Sequence, residues 1–350
     1  MTSGLLLLAA AWPMFHGNPA LTGVADPVPD TPALLWTFQT EGPVNAAAAL
    51  VAGTVFVGST DGRLYALDAA TGRPRWQFKT GDAIEAAPLV VNGTVYVGST
   101  DGHLYALDTG GQLRWKYKTD GKITGGANYF RDRILVGSYD NRLHCVDAVT
   151  GQAVWTYETD NYINGTPAVA DGKIVFGGCD GLLHVLDAAT GKQLLRIEAG
   201  AYIPGSPAVA GGRVYTGHFG NEVLCAHLAD GQIVWRTKDG KEPFFSTPAV
   251  TTNRVLIGGR DQRLHCYNRE TGESVWTFTA RGSVDSSPVV CGDKVVFGAD
   301  DGRLYIVSLA TGQPLWTYEI GKAISASPAV ANGLIVIGSA DGTVYAFGRK

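Results

Sequence analysis

The sequence is short of charge and has only a slight excess of acid. Of its 350 residues, 28 are Lys or Arg and 32 are Asp or Glu, 17% in all against the ~25% usual for globular chains, and the formal net charge is −4. No Lys/Arg cluster occurs anywhere, so the electrostatic footprint that a phosphate backbone requires is missing and nucleic acid is not an expected partner. Long apolar runs are missing too. The longest, Leu5 to Trp12, falls well below the ~20 residues of a membrane-spanning helix. There are five cysteines, an odd number, with no adjacent pair and no C-x-x-C spacing, which argues against a disulfide framework and against a zinc site. Glycine, in contrast, is abundant: 46 residues, nearly twice the usual share of ~7%. With 16 prolines and 45% hydrophobic residues, the composition is that of a turn-rich, tightly packed globule and not of a disordered chain.

A period of about 40 residues runs through the chain, and three markers keep it in register. Glycine-led turns begin at Gly58, Gly98, Gly137, Gly177, Gly217, Gly258, Gly298 and Gly338. Trp36, Trp76, Trp115, Trp155, Trp235, Trp276 and Trp316 follow the same pitch, with Leu195 in the one vacant place. A proline slot at Pro88, Pro167, Pro207, Pro248, Pro288 and Pro328 is the third marker. Each repeat reads as four short strands; in the fourth these are 166–170, 173–177, 182–187 and 193–198. Asp171-Gly172 and Asn92-Gly93 suit type I′ hairpins, and Asp61-Gly62, Asp180-Gly181 and Asp341-Gly342 are assigned the same geometry. In Asp68-Ala69-Ala70-Thr71-Gly72 the Asp side chain is expected to accept turn N–H groups while the glycine takes the left-handed position. Strands such as Leu64-Tyr65-Ala66-Leu67 are apolar on both faces, so each small sheet must be covered on both sides. Four-stranded units stacked face to face predict an all-β, eight-bladed β-propeller of about 40-residue blades. Residues 34–40 supply a strand with no blade before it, and this strand is expected to complete the last blade and close the ring.

The domain reading is a signal-like segment over residues 1–11, a leader over 12–33 packing on the propeller, and a single propeller over 34–350. Leu5 to Leu8 supply an apolar core and Ala9-Ala10-Ala11 small residues for cleavage, although Met1-Thr2-Ser3-Gly4 carries no basic charge. A periplasmic or exported location is the expectation, with the cytoplasm as the alternative; the first cysteine is Cys145, so no lipid anchor is expected. Cys145, Cys225 and Cys266 share a slot with Ala66 and Ala106 and read as small buried hydrophobes, while Cys179 and Cys291 are placed in turns as free thiols.

Ser206-Pro207-Ala208-Val209, Val95-Tyr96-Val97-Gly98-Ser99-Thr100-Asp101-Gly102, Leu104-Tyr105-Ala106-Leu107-Asp108, and Thr71-Gly72 followed by Trp76 resemble the pyrroloquinoline-quinone (PQQ)-like propeller repeat. The resemblance covers residues 34–350. The repeat is named for quinoprotein dehydrogenases, and it also builds the propeller subunit of the outer-membrane β-barrel assembly machinery and proteins with no cofactor. It implies that Trp36, Trp76, Trp115, Trp155, Trp235, Trp276 and Trp316 dock against neighbouring blades. WD40 repeats share the period, but their Gly-His and Trp-Asp dipeptides do not recur here.

The quinoprotein dehydrogenases that this repeat resembles carry a vicinal Cys-Cys pair and hold Ca²⁺ with Glu and Asn beside a catalytic Asp. No Cys-Cys is present, and although a Glu/Asn/Asp set can be assembled from one repeat slot, as Glu85, Asn164 and Asp285, its members are scattered over blades 2, 4 and 7, whereas Ca²⁺ ligands must converge on one ion. His144, His184 and His265 fall in a slot held elsewhere by Tyr65, Tyr105, Tyr305 and Tyr345, which reads as packing and not metal ligation. In Asp300-Asp301 the second is the ordinary turn Asp of the repeat, and acid/base work is not assigned to the pair. The informative residues are those that depart from the repeat. On the loop face of blades 4–6 these are Tyr162, Asn164, Tyr202, His218, Phe219, Phe244, Phe245 and Arg260, beside the lengthened loop Lys241-Glu242-Pro243. Aromatics with an Arg on a rim are the content of a recognition patch; channel filling by Tyr162, Tyr202 and Phe244 is the bland alternative. The expectation is a monomeric, non-enzymatic scaffold without a cofactor or metal, binding a protein or peptide partner in the cell envelope. The alternatives are a PQQ- and Ca²⁺-dependent dehydrogenase or degenerate relative, and a sensor of a small ligand such as a sugar.

Overall fold

The computed structural model describes residues 11–237 and 240–350, so most of the signal-like segment lies outside the described residues. Eight sheets form the ring, one per repeat. Blade 1 is an antiparallel meander of Ala49–Val51, Thr54–Gly58, Arg63–Asp68 and Pro74–Lys79, from the axis outwards. Blade 8 takes Ala329–Ala331, Leu334–Gly338 and Thr343–Gly348 from one part of the chain and Ala33–Gln39 from another, with Trp36 opposite Ala346. The N-terminal strand therefore closes the ring, as the sequence predicts. Among the described residues no helix is long and apolar enough to cross a membrane. Burial follows radius. The second strand of blade 1 is wholly buried, while the outermost one alternates between half-buried and exposed.

The innermost strands are shorter than the sequence suggests; in blade 4 the strand is Ala168–Ala170 and not 166–170. Pro167 has no N–H to pair, and the N–H of Thr166 donates to Ser206 Oγ of the next blade at 2.8 Å instead. The Asp-Gly turns are likewise of two kinds. Asn92-Gly93 and Asp171-Gly172 have positive φ at both residues, as a type I′ hairpin requires. At Asp61-Gly62 only the glycine is left-handed, at φ 80°, and the type I′ assignment fails there and at Asp180-Gly181 and Asp341-Gly342. With Asp61 right-handed, its carboxylate turns back to accept the N–H of Arg63 at 2.8 Å and the N–H of Glu41 at 3.1 Å. It also accepts the hydroxyl of Tyr65 at 2.7 Å. The tyrosine/histidine slot is thereby explained, since His144, His184 and His265 reach Asp140, Asp180 and Asp261 with Nε2 in the same way. In blade 2, burial and the Asp101 carboxylate that accepts its hydroxyl together push the Tyr105 pKa up to about 12.

Blade packs on blade through missing side chains. A Cβ on Gly58 would lie 2.2 Å from Ile84 Cγ2, so the glycine ending the second strand is the seat for a branched residue of the next connection. Gly98 and Ile123, Gly137 and Ile163, Gly298 and Ile324, and Gly338 and Val44 repeat that seat. Further out, Trp115 Nε1 donates to Ala148 O at 3.1 Å and the indole lies over Gly151, whose φ is 71°. Trp36, Trp76, Trp155, Trp235 and Trp276 lie over Gly72, Gly111, Gly191, Gly272 and Gly312 in the same manner. Trp316 faces the closing blade, where the chain seam replaces that turn, and packs edge-on to Phe347 instead. Cys291 lies in the strand Val289–Cys291 and is fully buried, which corrects its placement in a turn; Cys179 is partly exposed.

The leader runs inside the ring, along the innermost strands. Trp12 and Leu50 exchange two backbone bonds in blade 1. Pro13 O accepts from Val90 N at 2.7 Å, Pro19 O from Val169 N at 2.7 Å, Ala20 O from Val209 N at 2.9 Å, Thr22 O from Val250 N at 2.8 Å and Gly23 O from Val290 N at 2.8 Å. Blade 3 joins through Asn128, whose Nδ2 donates to Pro19 O at 2.8 Å. Val24–Ala25 then adds a parallel strand to blade 7, and Val28 enters the core of blade 8. His16, 1% exposed, points its Nδ1 at Leu21 O, 2.9 Å away, and burial lowers its pKa to about 4.

Two outcomes are expected. Gly151→Ala forces a Cβ to 2.6 Å from the Trp115 ring at a left-handed φ, and should cost about 2–4 kcal/mol in urea denaturation. Because the folded pKa of His16 lies below its unfolded value of 6.5, its contribution is present in full above pH 6.5 and is lost as the pH falls to about 4. Denaturation at pH 7.5 and 4.5 should therefore differ by roughly 2–3 kcal/mol more in the natural chain than in His16→Gln, with His218, also lowered by burial, common to both.

Candidate functional site

Two features meet on the face formed by the connections between blades and by the turns between second and third strands. One is an axial funnel of about 260 Å³, floored by Phe15 of the leader. Its wall has a polar half and a bare half. Thr166, Ser206, Thr247, Ser287 and Ser327 occupy one slot in blades 4–8, where blades 1–3 have Ala47, Ala87 and Gly126. The N–H groups of Thr166, Ser206, Thr247 and Ser287 each donate to the hydroxyl of the following blade, at 2.8, 3.0, 2.9 and 3.0 Å. A hydroxyl that accepts in this way keeps its own hydrogen to donate into the funnel.

Glu85, Asn164 and Asp285 all line this cavity, from blades 2, 4 and 7. Glu85 is exposed. Asn164 Nδ2 contacts Cys179 Sγ at 3.2 Å, and its buried Oδ1 has no partner. Asp285 is held by Arg260, whose Nε and Nη2 reach the two carboxylate oxygens at 3.1 and 2.8 Å. Among the described residues no three His, Cys, Asp or Glu side chains converge as metal ligands. Among the described residues no Lys or Arg lines the cavity either.

The second feature is an arc of aromatic side chains around the rim. Tyr139 stacks on Tyr162 with centroids 4.8 Å apart and rings 5° from parallel. Tyr202 meets Phe219 at 5.7 Å, Phe219 meets Phe245 at 6.0 Å, and the Arg260 guanidinium lies 3.5 Å above the Phe245 centroid. Tyr162, Tyr202 and Phe219 are 46%, 53% and 47% exposed. Two residues expected here are elsewhere. His218 is only 2% exposed, with its Nδ1 accepting from Gly220 N at 3.0 Å, so it shapes the turn beneath Phe219 and is not on the rim. Phe244 is fully buried against Gly217 and His265, in the slot held by Ile84 and its equivalents; it belongs to the core and fills no channel. Tyr139, Phe15 and the hydroxyl belt were not singled out from the sequence. Tyr139 could have been, since it is a bulky residue in the slot of Thr60 and Thr100. Nothing along the chain reveals that Phe15 meets the funnel.

Beside the arc, burial raises the pKa of Asp300, and the charges of Asp285 and Asp301 add to the rise while Arg260 opposes it. Removing the guanidinium in Arg260→Ala should raise the Asp300 pKa further, as read from the carboxyl ¹³C shift in an NMR titration.

No curated protein matches the chain. Among solved structures, the computationally designed Ika8 protein superposes with a TM-score of 0.81 at 20% identity, covering 90% of this chain and 99% of that one. BamB from Moraxella catarrhalis superposes at 0.78 with 22% identity, covering 91% and 98%. The quinohemoprotein alcohol dehydrogenase from Comamonas testosteroni superposes at 0.82 with 15% identity, covering 97% of this chain and 81% of the enzyme. At these identities the likeness is one of fold, shared by a designed ring, an assembly factor and an oxidoreductase. The family described as outer membrane protein assembly factor BamB matches residues 24–122, 109–196, 167–244 and 220–350, and the chain belongs to that family.

Proposed function

We propose that this protein is a non-enzymatic propeller scaffold that presents the arc from Tyr139 to Arg260 to a protein or peptide partner in the cell envelope. The observation that carries this reading is the arc itself: the stacked pair Tyr139–Tyr162 and the run Tyr202–Phe219–Phe245 ended by the Arg260 guanidinium on Phe245, with Tyr162, Tyr202 and Phe219 about half exposed. Rigid aromatics and arginine give large contact area at low entropy cost and dominate the energetics of protein interfaces. The family's description as an outer membrane assembly factor supports the envelope setting.

The dehydrogenase alternative asks the funnel to hold a quinone that is a planar tricarboxylate. The residues do not suit it, because the charged side chains lining the funnel are the acids Glu85 and Asp285, and Arg260 is committed to Asp285. A small neutral ligand such as a sugar draws more support, from the hydroxyl belt of Thr166, Ser206, Thr247, Ser287 and Ser327.

A photo-crosslinking residue in place of Phe219, compared with one in place of Val149, an exposed residue in a turn between third and fourth strands, tests the scaffold reading in living cells. One discrete adduct is expected from position 219 alone, lost when Tyr202→Ser and Arg260→Ser are added while the melting curve is retained. Equal adducts from both positions would overturn the reading. Turnover of an alcohol or sugar by the purified chain with PQQ and Ca²⁺ would replace it with the dehydrogenase, and a melting rise with sugars alone would favour the sensor.

A further inference from the structure

The leader is built unlike the rest of the ring, and the difference is in where its polar groups point. Beyond Trp12, whose N–H donates to Leu50 O of blade 1, three of its N–H groups are used internally: Gly17 N donates to Met14 O at 3.1 Å, Leu21 N to Asn18 O at 2.9 Å and Gly23 N to His16 O at 3.2 Å. The carbonyls of Pro13, Pro19, Ala20, Thr22 and Gly23 face outwards and each takes one N–H from a different blade. The blades supply these donors from equivalent places, the middle of the innermost strand at Val90, Val169, Val209, Val250 and Val290. An inner edge strand without the leader would present this row of N–H groups to the axis. The leader thus satisfies main-chain donors of blades 1, 2 and 4–7 as a preformed hoop, one carbonyl to each, meets blade 3 through Asn128, and adds to the sheets only at the Trp12–Leu50 bridge and at Val24–Ala25.

The hoop is also dispensable to closure. Each blade is complete with four strands, and the ring is fastened by Ala33–Gln39, which lies beyond the leader in sequence. Between them runs Asp26-Pro27-Val28-Pro29-Asp30-Thr31-Pro32, with Asp30 and Thr31 exposed. Three prolines make this stretch a stiff, extended tether.

We propose that the inner-strand N–H groups form a peptide-binding ring, and that residues 12–25 are its resident, exchangeable ligand, seated in cis and forming the floor of the axial funnel. The site recognises an outward row of main-chain carbonyls, and its selectivity comes from the side chains that fix the hoop. Trp12 is buried in the core shared by blades 7, 8 and 1, Met14 and Leu21 in that of blades 2–5, and His16 is buried as well. Gly17 and Gly23 have φ of 81° and 64°, and a Cβ on them would meet the Trp12 ring and the His16 ring at 2.6 Å. A ligand for this ring must therefore be a segment that takes the same turns, with glycine at both positions. Release of the segment removes Phe15 from the lining of the funnel. This inference is independent of the rim arc and stands or falls apart from it.

A site-specific protease sequence inserted between Asp30 and Thr31 of the full chain allows the test, since cleavage leaves the folded ring and its hoop in place without a covalent link. A fluorescently labelled synthetic peptide of residues 11–26 is then added and followed by anisotropy and gel filtration. The labelled peptide should enter the cleaved protein saturably, displace the original fragment and be displaced by unlabelled peptide, while the uncut chain takes up none. A peptide with Gly17→Val and Gly23→Val should bind roughly 100-fold more weakly, since two left-handed positions are lost to it. Three results would overturn the proposal. The fragment could stay without exchanging below the melting temperature, which makes it a fixed strut. The cleaved ring could unfold, which makes the leader part of the core. The substituted peptide could bind as well as the natural one, which removes the selectivity.

Discussion

A branched side chain seated where a glycine has no side chain is the contact on which the ring depends. Ile84 against Gly58 is one instance, and its equivalents recur around the axis from Gly98 to Gly338. A blade has no solvent face in its inner three strands, so it is stable only when both neighbours cover it. Glycine at the strand end brings the next connection into van der Waals contact with the sheet, and the indoles over Gly72, Gly111 and Gly151 do the same at the outer radius. The high glycine content is therefore a packing requirement at the strand ends and a conformational one at the turns.

Departures from this scheme concentrate where the candidate interface lies. Blade 5 has Gly220 and Leu224 in place of the Asp and Tyr/His pair, and the ion pair of Arg236 with Glu222 lies nearby. Preceding it, blade 4 carries Leu195 where an indole is usual, and Ile197 covers Gly231 instead. Phe244 fills the Ile84 slot with a larger ring, in the connection that is one residue longer. Those changes free the turn at Phe219 from the polar network that fixes Asp61 or Asp101, and bring Phe219 between Tyr202 and Phe245. The site is thus a local relaxation of the repeat, and the blades that keep the repeat supply the rigid frame that holds it.

The leader joins the two ends of this logic. Closing the ring leaves eight inner edges around an axis, and unpaired edges are costly in any sheet protein. Threading residues 12–25 past the donors of Val90, Val169, Val209, Val250 and Val290 covers them from inside, and it turns an open channel into a funnel with Phe15 as its floor. The polarity of that funnel then follows from a single slot that is hydroxylated in blades 4–8 and bare in blades 1–3.

The sequence alone determined the number of blades, their four strands, the closing strand and the Trp, Gly and Asp positions, because each of these is a local pattern repeated with a fixed period. It also marked Tyr162, Tyr202, Phe219, Phe245 and Arg260 as departures. It misplaced His218 and Phe244, since a deviant residue in a repeat slot can turn into the core as readily as out of it, and only the packing around Gly217 and Gly220 decides which. The type I′ assignment of Asp61-Gly62 failed for a similar reason: the dipeptide fits two turns, and the three acceptor contacts of Asp61 select the other. The path of the leader was decided by tertiary structure alone. Its partners are main-chain N–H groups contributed by blades tens to hundreds of residues apart, and main-chain groups leave no signature in a sequence.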